Sequence, residues 1–543
     1  MNPLIIGKIK SVSGYSAEVM LRDDLKGMYL THKGRLYSIG QIGSYLVIPV
    51  AHEKIVGIVS EIKMLTVQNE SGEQIIKSDK KVISLQLVGS ISNNKFERGI
   101  GTYPLVEDDV CLADENDFKI IFEGQERGKN IEIGLFSQNE KFKVLINVDN
   151  FFSKHVAVLG TTGSGKSCAV AKILQKVLEF KDSHLILLDL HGEYVKAFPN
   201  KSNIITGSEL EIPYWLLDYD ELQDLCIDKS ESAAHNQTMI FKEAILKAKR
   251  DSIGKDGLGL EEIFTIDTPI YFDLNEVHDF IKNKNEEMVP GARAEKEKQG
   301  SFYGQFTRFL TRLESKINDQ RFAFMFKPKK YTKSEHLESF MRLLLGRNQD
   351  EYKNITVIDL SGIPFEIVEI VVSVLSRLIF DFNFWNKHKR ECPLCIVYEE
   401  AHNYIPRNRS SIAKMSVERI AKEGRKYGVS LIVVSQRPSE LSETVLSQCN
   451  NFISLRVTNP DDQNYVKKLV PDQNAELMNM LSILRRGEAL IIGEAVVMPV
   501  RVLMELPSPT PDSDDIKFFD KWNNGIKDLN IGEIIDSWRK QER

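Results

Sequence analysis

Gly160-Thr-Thr-Gly-Ser-Gly165-Lys166-Ser167 fits the spacing G-x-x-x-x-G-K-[ST], and the chemistry it can do is to hold phosphate. Glycines let the loop double back so that successive backbone N–H groups point inward, and the following helix turns the positive end of its dipole to the same phosphates. Lys166 is then placed to reach the β- and γ-phosphates of ATP, and the Ser167 hydroxyl to hold Mg²⁺. The predicted nucleotide contacts are Gly160, Thr161, Thr162, Gly163, Ser164, Gly165, Lys166, Ser167 and Cys168. A second constellation is Glu399-Glu400, directly after the apolar run Cys395–Tyr398. Ligands of parallel α/β sheets collect at the carboxyl ends of strands, so both acids should face the phosphates. One carboxylate, Glu399, is assigned to the Mg²⁺ shell, and the other, Glu400, to orienting and polarising the attacking water. Glu399 stands where such sites more often carry the shorter Asp, so its metal contact is expected to run through water. Two more apolar runs end in polar residues, Asp189-Leu-His191-Gly192-Glu193-Tyr194 and Ser435-Gln436-Arg437. Gln436 is placed where an amide could hold water against the γ-phosphate.

Such groups need a frame. From about residue 150 the chain reads as apolar strand, glycine-rich turn, amphipathic helix and apolar strand, the pattern of a mostly parallel sheet covered by helices on both faces. Val156–Leu159, Leu185–Leu188, Thr356–Ile358, Cys395–Tyr398 and Leu431–Val434 are the predicted strands, and Cys168–Leu178 the helix after the phosphate loop. Residues 1–148 read instead as short β-rich runs with Gly, Asn and Asp turns, such as Leu4–Ile9, Ser16–Leu21, Tyr45–Pro49 and Lys54–Glu61, which predicts a small barrel or sandwich. Between about 218 and 350 the alternation stops and helical patterning takes over, as in Thr238–Arg250 and Ser301–Ile317, so a helical insertion interrupts the α/β domain of 149–506. Residues 507–543 open on P-S-P-T-P-D-S-D-D and read as a C-terminal tail able to pack on a neighbour.

Composition bounds the function. Length 543 allows three or four domains at roughly 150 residues each, or two with large insertions. A balance of 71 basic against 77 acidic residues gives a net charge of −6, so any grip on DNA must come from a local surface such as a lined pore. Arg407-Asn-Arg409 and the stretch Lys414 to Lys426 are candidates for that lining, with an ordinary solvated helix as the alternative; Lys327 to Lys333 reads as a surface loop. No apolar run reaches the roughly 18 to 20 residues of a membrane span, and MNPLIIGKIK lacks the form of a signal peptide. Six scattered cysteines fit a reduced, cytoplasmic protein. Cys392 and Cys395 lack a second ligand pair and read as thiols at the start of a buried strand rather than a zinc site.

Taken in order, Lys154-His-Val-Ala-Val-Leu-Gly-Thr-Thr-Gly-Ser-Gly-Lys-Ser, Asp189-Leu-His-Gly-Glu-Tyr, Val357-Ile-Asp-Leu-Ser-Gly, Glu399-Glu-Ala-His, and Gly424-Arg-Lys-Tyr-Gly followed by Ser435-Gln-Arg-Pro-Ser-Glu-Leu resemble the motif series of the HerA-type ATPases of the HerA/FtsK superfamily. Gly43-Ser-Tyr-Leu-Val-Ile-Pro and Ile55-Val-Gly-Ile-Val-Ser-Glu resemble that family's N-terminal barrel. The resemblance implies a RecA-like P-loop NTPase core and a homo-hexameric ring that translocates on double-stranded DNA through its central pore. It implies Glu400 as the catalytic carboxylate, Gln436 as the sensor, Arg425 as an arginine finger given to the neighbouring subunit, and Lys154 as a further basic residue near the inter-subunit nucleotide. It also implies a nuclease or Sir2-like effector as partner, in DNA end processing or antiviral (anti-phage) defence. Two other readings stay open: an ATP-controlled assembly platform with little translocation, and a conjugation or secretion ATPase, which the lack of membrane spans disfavours.

Overall fold

The computed structural model describes residues 4–25, 27–32, 34–68, 74–124, 128–290, 297–347, 351–387, 392–471, 474–513, 517–523 and 530–540. Two sheets organise it. The first has seven strands, all paired antiparallel: Lys95–Arg98 is added beside Gln74–Ser92 to six others, Ile5–Ser13, Ser16–Leu21, Tyr45–Val50, Glu53–Gln68, Gln74–Ser92 and Asp109–Leu112. Pairing of Ser16–Leu21 with Gln74–Ser92 closes these six strands into a barrel. Alternation along Ser16–Leu21 puts Ala17, Val19 and Leu21 inside, as a half-buried strand requires.

The second sheet has eleven strands. Seven of them run parallel, in the order Asn451–Ser454, Val156–Leu159, Val429–Ser435, Leu394–Tyr398, Leu185–Asp189, Ile355–Asp359 and Ser202–Ile205. The four central members of that row, from Val156–Leu159 to Leu185–Asp189, are buried along their whole length, which is why they read as unbroken apolar runs. Beyond Asn451–Ser454 the order continues antiparallel through Glu488–Gly493, Val500–Met504, Asn130–Phe136 and Lys143–Asn147. The barrel is therefore smaller than residues 1–148: Asn130–Phe136 and Lys143–Asn147 alternate like barrel strands but finish the edge of the large sheet.

Side chains fasten one sheet to the other. The Tyr45 hydroxyl donates to the Pro499 carbonyl at 2.7 Å, the Gln86 amide to Asn474 Oδ1 at 2.6 Å, and Arg98 to the Gly493 carbonyl at 2.9 Å. The insertion is helical as expected, with Tyr219–Cys226, Ala234–Asp256, Leu274–Asn285, Thr307–Asn318 and His336–Leu344 as its main helices. Its buried Glu221 receives the Arg377 guanidinium at 2.7 Å and the Ser373 hydroxyl at 2.9 Å, tying it to the long helix Phe365–Trp385. The start of the tail packs on its own domain, where Gln175 donates to the Pro509 carbonyl at 2.8 Å and Lys196 pairs with Asp512 at 2.6 Å. Phe519, Trp522 and Trp538 further along are exposed.

Candidate nucleotide site

Strand Val156–Leu159 leads through the glycine loop into helix Lys166–Val177, the strand–loop–helix setting a phosphate cradle needs. Gly163 (φ +70°) and Gly165 (φ +101°) make the reversal in left-handed backbone that a side chain would resist. The loop is held by the segments that follow Asn451–Ser454 and precede Glu488–Gly493: the Thr161 amide donates to the Arg456 carbonyl at 2.9 Å, and the Gly487 amide donates to the Ser164 carbonyl at 2.9 Å. Lys166 is 7% exposed, and its ammonium lies 4.0 Å from Glu400 Oε1. Ser167 and Cys168 open the helix, both half-buried.

The two acids follow strand Leu394–Tyr398 and part at once in environment. Glu400 has a left-handed backbone (φ +46°, ψ 45°), an uncommon conformation for a residue with a side chain. Its Oε2 is buried, without a hydrogen-bond partner, and 3.3 Å from His402 Nδ1. Glu399 is 2% exposed and receives the Tyr194 hydroxyl at 3.1 Å on its carboxylate and the Tyr404 hydroxyl at 2.6 Å on its carbonyl. Burial, and next the neighbouring Glu400, push the Glu399 carboxyl well above the usual carboxylate range. Asp189 shapes the adjoining loop: its carboxylate accepts the amides of Gly192, Glu193 and Tyr194 at 3.0, 3.2 and 2.8 Å, and burial raises it to about 6. That turn delivers Tyr194 to Glu399. Gln436 reaches the loop too, accepting a hydrogen bond from the Thr162 hydroxyl through its Oε1.

Lys154 and Arg425 stand at the other edge of the same sheet. Lys154 precedes the amino end of Val156–Leu159 and pairs with Glu494. Arg425 lies in the tight turn Gly424–Tyr427 just before Val429–Ser435, and borders a cavity of about 430 Å³ beside Leu185, Leu394 and Val429, each at or near the first residue of a parallel strand. It is exposed and has no ion pair to any described residue. Neither cation can meet its own chain's phosphate loop, which sits at the carboxyl end of the strands.

Sequence reasoning gave no role to Tyr194, Tyr404, His402 or Arg456. Tyr194 and His402 stood inside quoted motifs, and an aromatic or imidazole directly after an acidic strand end is the signal that could have marked them. Among the basic loops, Arg407 pairs with Glu443 at 3.2 Å and lies 4.5 Å from the Tyr465 ring centroid, while Arg409 pairs with Glu369. Both pairs are partly exposed, where an ion pair is worth about 0–1 kcal/mol and is readily exchanged. Lys329 and Lys330 are fixed through their amides by Glu211 at 3.0 and 2.9 Å. Cys395 is buried in its strand, with Cys392 just ahead of it. No helix among the described residues is long and apolar enough to cross a membrane.

Residues 131–379 match the family model for the central domain of helicase HerA, and residues 386–511 match the HerA-like C-terminal model. The DNA double-strand break repair helicase HerA of Pyrococcus furiosus is 28% identical over 511 residues, covering 85% of this chain and 86% of its own. Its namesake from Sulfolobus acidocaldarius is 27% identical over 440 residues, 80% of each chain. Among solved structures, VirB4 of Thermoanaerobacter pseudethanolicus superposes with a TM-score of 0.47 at 15% identity, covering 70% of this chain and 97% of that one. The plasmid coupling protein TrwB in complex with ADP and Mg²⁺ gives 0.46 at 12% identity, covering 73% and 92%.

Proposed function

The chain belongs to the HerA helicase family and is an ATP-hydrolysing enzyme, and from that premise we propose that it is a ring-forming motor that moves along double-stranded DNA. The observation that carries this reading is the split of charged groups between the two edges of one parallel sheet. Lys166, Glu400 and Gln436 gather at the carboxyl edge, and Arg425 is exposed at the amino edge with no partner among the described residues. In a closed ring the contact between subunits is heterologous, so the amino edge of one subunit can face the nucleotide of the next. Six copies arranged so form six shared sites.

Each residue then has a task. The loop amides outside Gly160, Thr161 and Ser164, whose N–H groups are engaged within the protein, and the Lys166 ammonium bind the phosphates. Glu400 orients the attacking water and takes its proton: its Oε2 is buried, and the Glu400 carbonyl accepts the Asn403 amide at 3.0 Å, which fixes the turn. Gln436, anchored on Thr162, places its amide beside the same water. Arg425 of the next subunit stabilises charge on the transferring phosphoryl group, worth on the order of 10³ to 10⁵ in rate. The residues fit Mg²⁺: the Ser167 hydroxyl at the helix start and, through water, Glu399 would hold it, and the buried Glu400 oxygen, which has no hydrogen-bond partner, would add negative charge beside them. When bound, the ion neutralises charge on the β- and γ-phosphates.

DNA runs through the ring past Arg407 and Arg409, and the motor serves a separate nuclease or Sir2-like effector in the cytoplasm, in end processing or phage defence. The test is subunit mixing. Arg425→Ala and Glu400→Gln rings should each be inactive, and mixed rings should regain hydrolysis where a sound nucleotide edge meets a sound arginine. Mixed rings without recovery would refute shared sites. Displacement of a protein roadblock from duplex DNA then separates a motor from an ATP-controlled assembly platform, which would hydrolyse ATP and leave the roadblock in place.

A further inference from the structure

His155 precedes the phosphate-loop strand at the end away from the phosphates, and nothing in the hydrolysis chemistry uses it. It is 2% exposed, yet its backbone is left-handed (φ +49°), a costly conformation that persists only where the surroundings enforce it. The enforcing contacts are visible. The Leu431 amide donates to His155 Nδ1 at 3.2 Å, and Nε2 lies 3.0 Å from the Ala421 carbonyl. Burial holds the imidazole down to about 4, so the ring is neutral. With Nδ1 accepting, the single proton sits on Nε2 and is donated to Ala421.

Ala421 is four residues before Arg425, and its carbonyl would accept the Arg425 amide if the α-helix Ile412–Glu423 continued. The chain instead tightens into the turn Gly424–Tyr427, and His155 satisfies the helix end. Other contacts fix the same turn. A Cβ on Gly424 would overlap the Val429 carbonyl oxygen. The Tyr427 ring packs against Phe380 and Phe384 with centroids 5.5 and 5.0 Å away, and the Arg419 guanidinium lies 4.6 Å from the Phe380 centroid. The backbone of Arg425 is thereby clamped while its side chain stays exposed.

We propose that His155 is the positioning residue for Arg425, fastening the amino end of the nucleotide strand to the helix end that offers the arginine to the next subunit. One strand of four residues then has the phosphate loop at one end and the holder of the neighbour's arginine at the other. A shift of that strand on nucleotide binding moves the arginine serving the adjoining site, which links successive sites around a ring. The inference rests on the shared-site reading above.

The experiment uses full-length His155→Ala and, because asparagine tolerates left-handed backbone, His155→Asn. Affinity for a non-hydrolysable ATP analogue should stay within about twofold of the unsubstituted protein, while kcat falls about 10²-fold, the scale of a misplaced catalytic group. Mixed with Glu400→Gln subunits, the His155 variants should regain hydrolysis; mixed with Arg425→Ala, they should not. If Arg425→Ala recovers with Glu400→Gln and the His155 variants do not, the positioning role falls and shared sites stand. If Arg425→Ala itself fails to recover, both fall. Loss of analogue binding in both His155 variants would mark the residue as structural and overturn the proposal, as would unchanged turnover.

Discussion

At the carboxyl edge of the large sheet, buried polar atoms without a hydrogen-bond partner accumulate: Glu400 Oε2, Glu193 Oε2, Ser454 Oγ and Arg456 Nε all belong to strand ends or to loops directly after them. Along the amino edge, four residues away on the central strand, two such atoms also occur, Ser183 Oγ and His184 Nδ1 just ahead of Leu185–Asp189, but the turn before Val429–Ser435 differs. There the polar groups of His155, Lys154 and the Gly428 carbonyl are paired, aromatic rings close over the turn, and Arg425 projects beside the exposed Lys426. An edge that binds keeps groups in reserve for what it binds, at a cost of about 1–3 kcal/mol for each buried polar group left unmade. An edge that presents a group to another molecule has to be stiff, and it spends its hydrogen bonds on itself. The two ends of one β-strand thus differ as a receptor differs from a mount.

Substitutions can break that contrast or sharpen it. Glu400→Gln should reduce turnover by about 10²- to 10⁴-fold with ATP affinity nearly unchanged, because the amide fills the same space and cannot take a proton; single-turnover hydrolysis against analogue binding measures the split. If Glu399→Gln proves the dead variant and Glu400→Gln stays active, the two acids have exchanged roles. Lys166→Ala should weaken ATP binding by about 10²-fold or more, since it removes a buried cation beside a buried carboxylate, and circular dichroism should report an intact fold. At the opposite edge Gly424→Ala should leave analogue affinity alone and lower turnover about 10-fold, the overlap with the Val429 carbonyl being relieved by a shift of the arginine turn. An equal loss of binding would mean that the edges are not separable. The smallest effect is expected for Arg407→Ala with Arg409→Ala. DNA affinity should fall several-fold for every sequence and the salt slope should flatten, while ATPase activity without DNA survives. An unchanged slope would place the DNA elsewhere.

How far the sequence could be read depended on how local the cause was. Val156–Leu159 and Ser16–Leu21 were legible to the residue, one as an unbroken apolar run and the other as strict alternation. The phosphate loop carried its own spacing. Ser202–Ile205 escaped, being a four-residue edge strand whose pairing with Ile355–Asp359 spans the whole helical insertion. Asn130–Phe136 fell within the region 1–148 expected to form the barrel yet joins the large sheet, because β-rich patterning shows where strands lie and never what they pair with. The contacts of Tyr194 and His155 were out of reach for the same reason: their partners, Glu399 and Ala421, lie 205 and 266 residues away. The position of Arg425, as distinct from its role, was easier to place, since a residue just before a parallel strand is at the amino edge whatever the rest of the chain does.

The edge of the large sheet has a consequence for how the protein is made. Asn130–Phe136 finds its partner in Val500–Met504, a strand the ribosome delivers some hundreds of residues later. During that interval the early strand waits with an open row of amides and carbonyls, the kind of template that recruits other chains, and synthesis at about 5–20 residues per second makes the wait on the order of a minute or less. The barrel closes from residues up to Leu112 and can fold while the rest is still emerging. Chains truncated before residue 488 should therefore yield a folded barrel joined to aggregating sheet. Supplying the missing strands as a separate polypeptide during expression is the remedy that the strand order suggests.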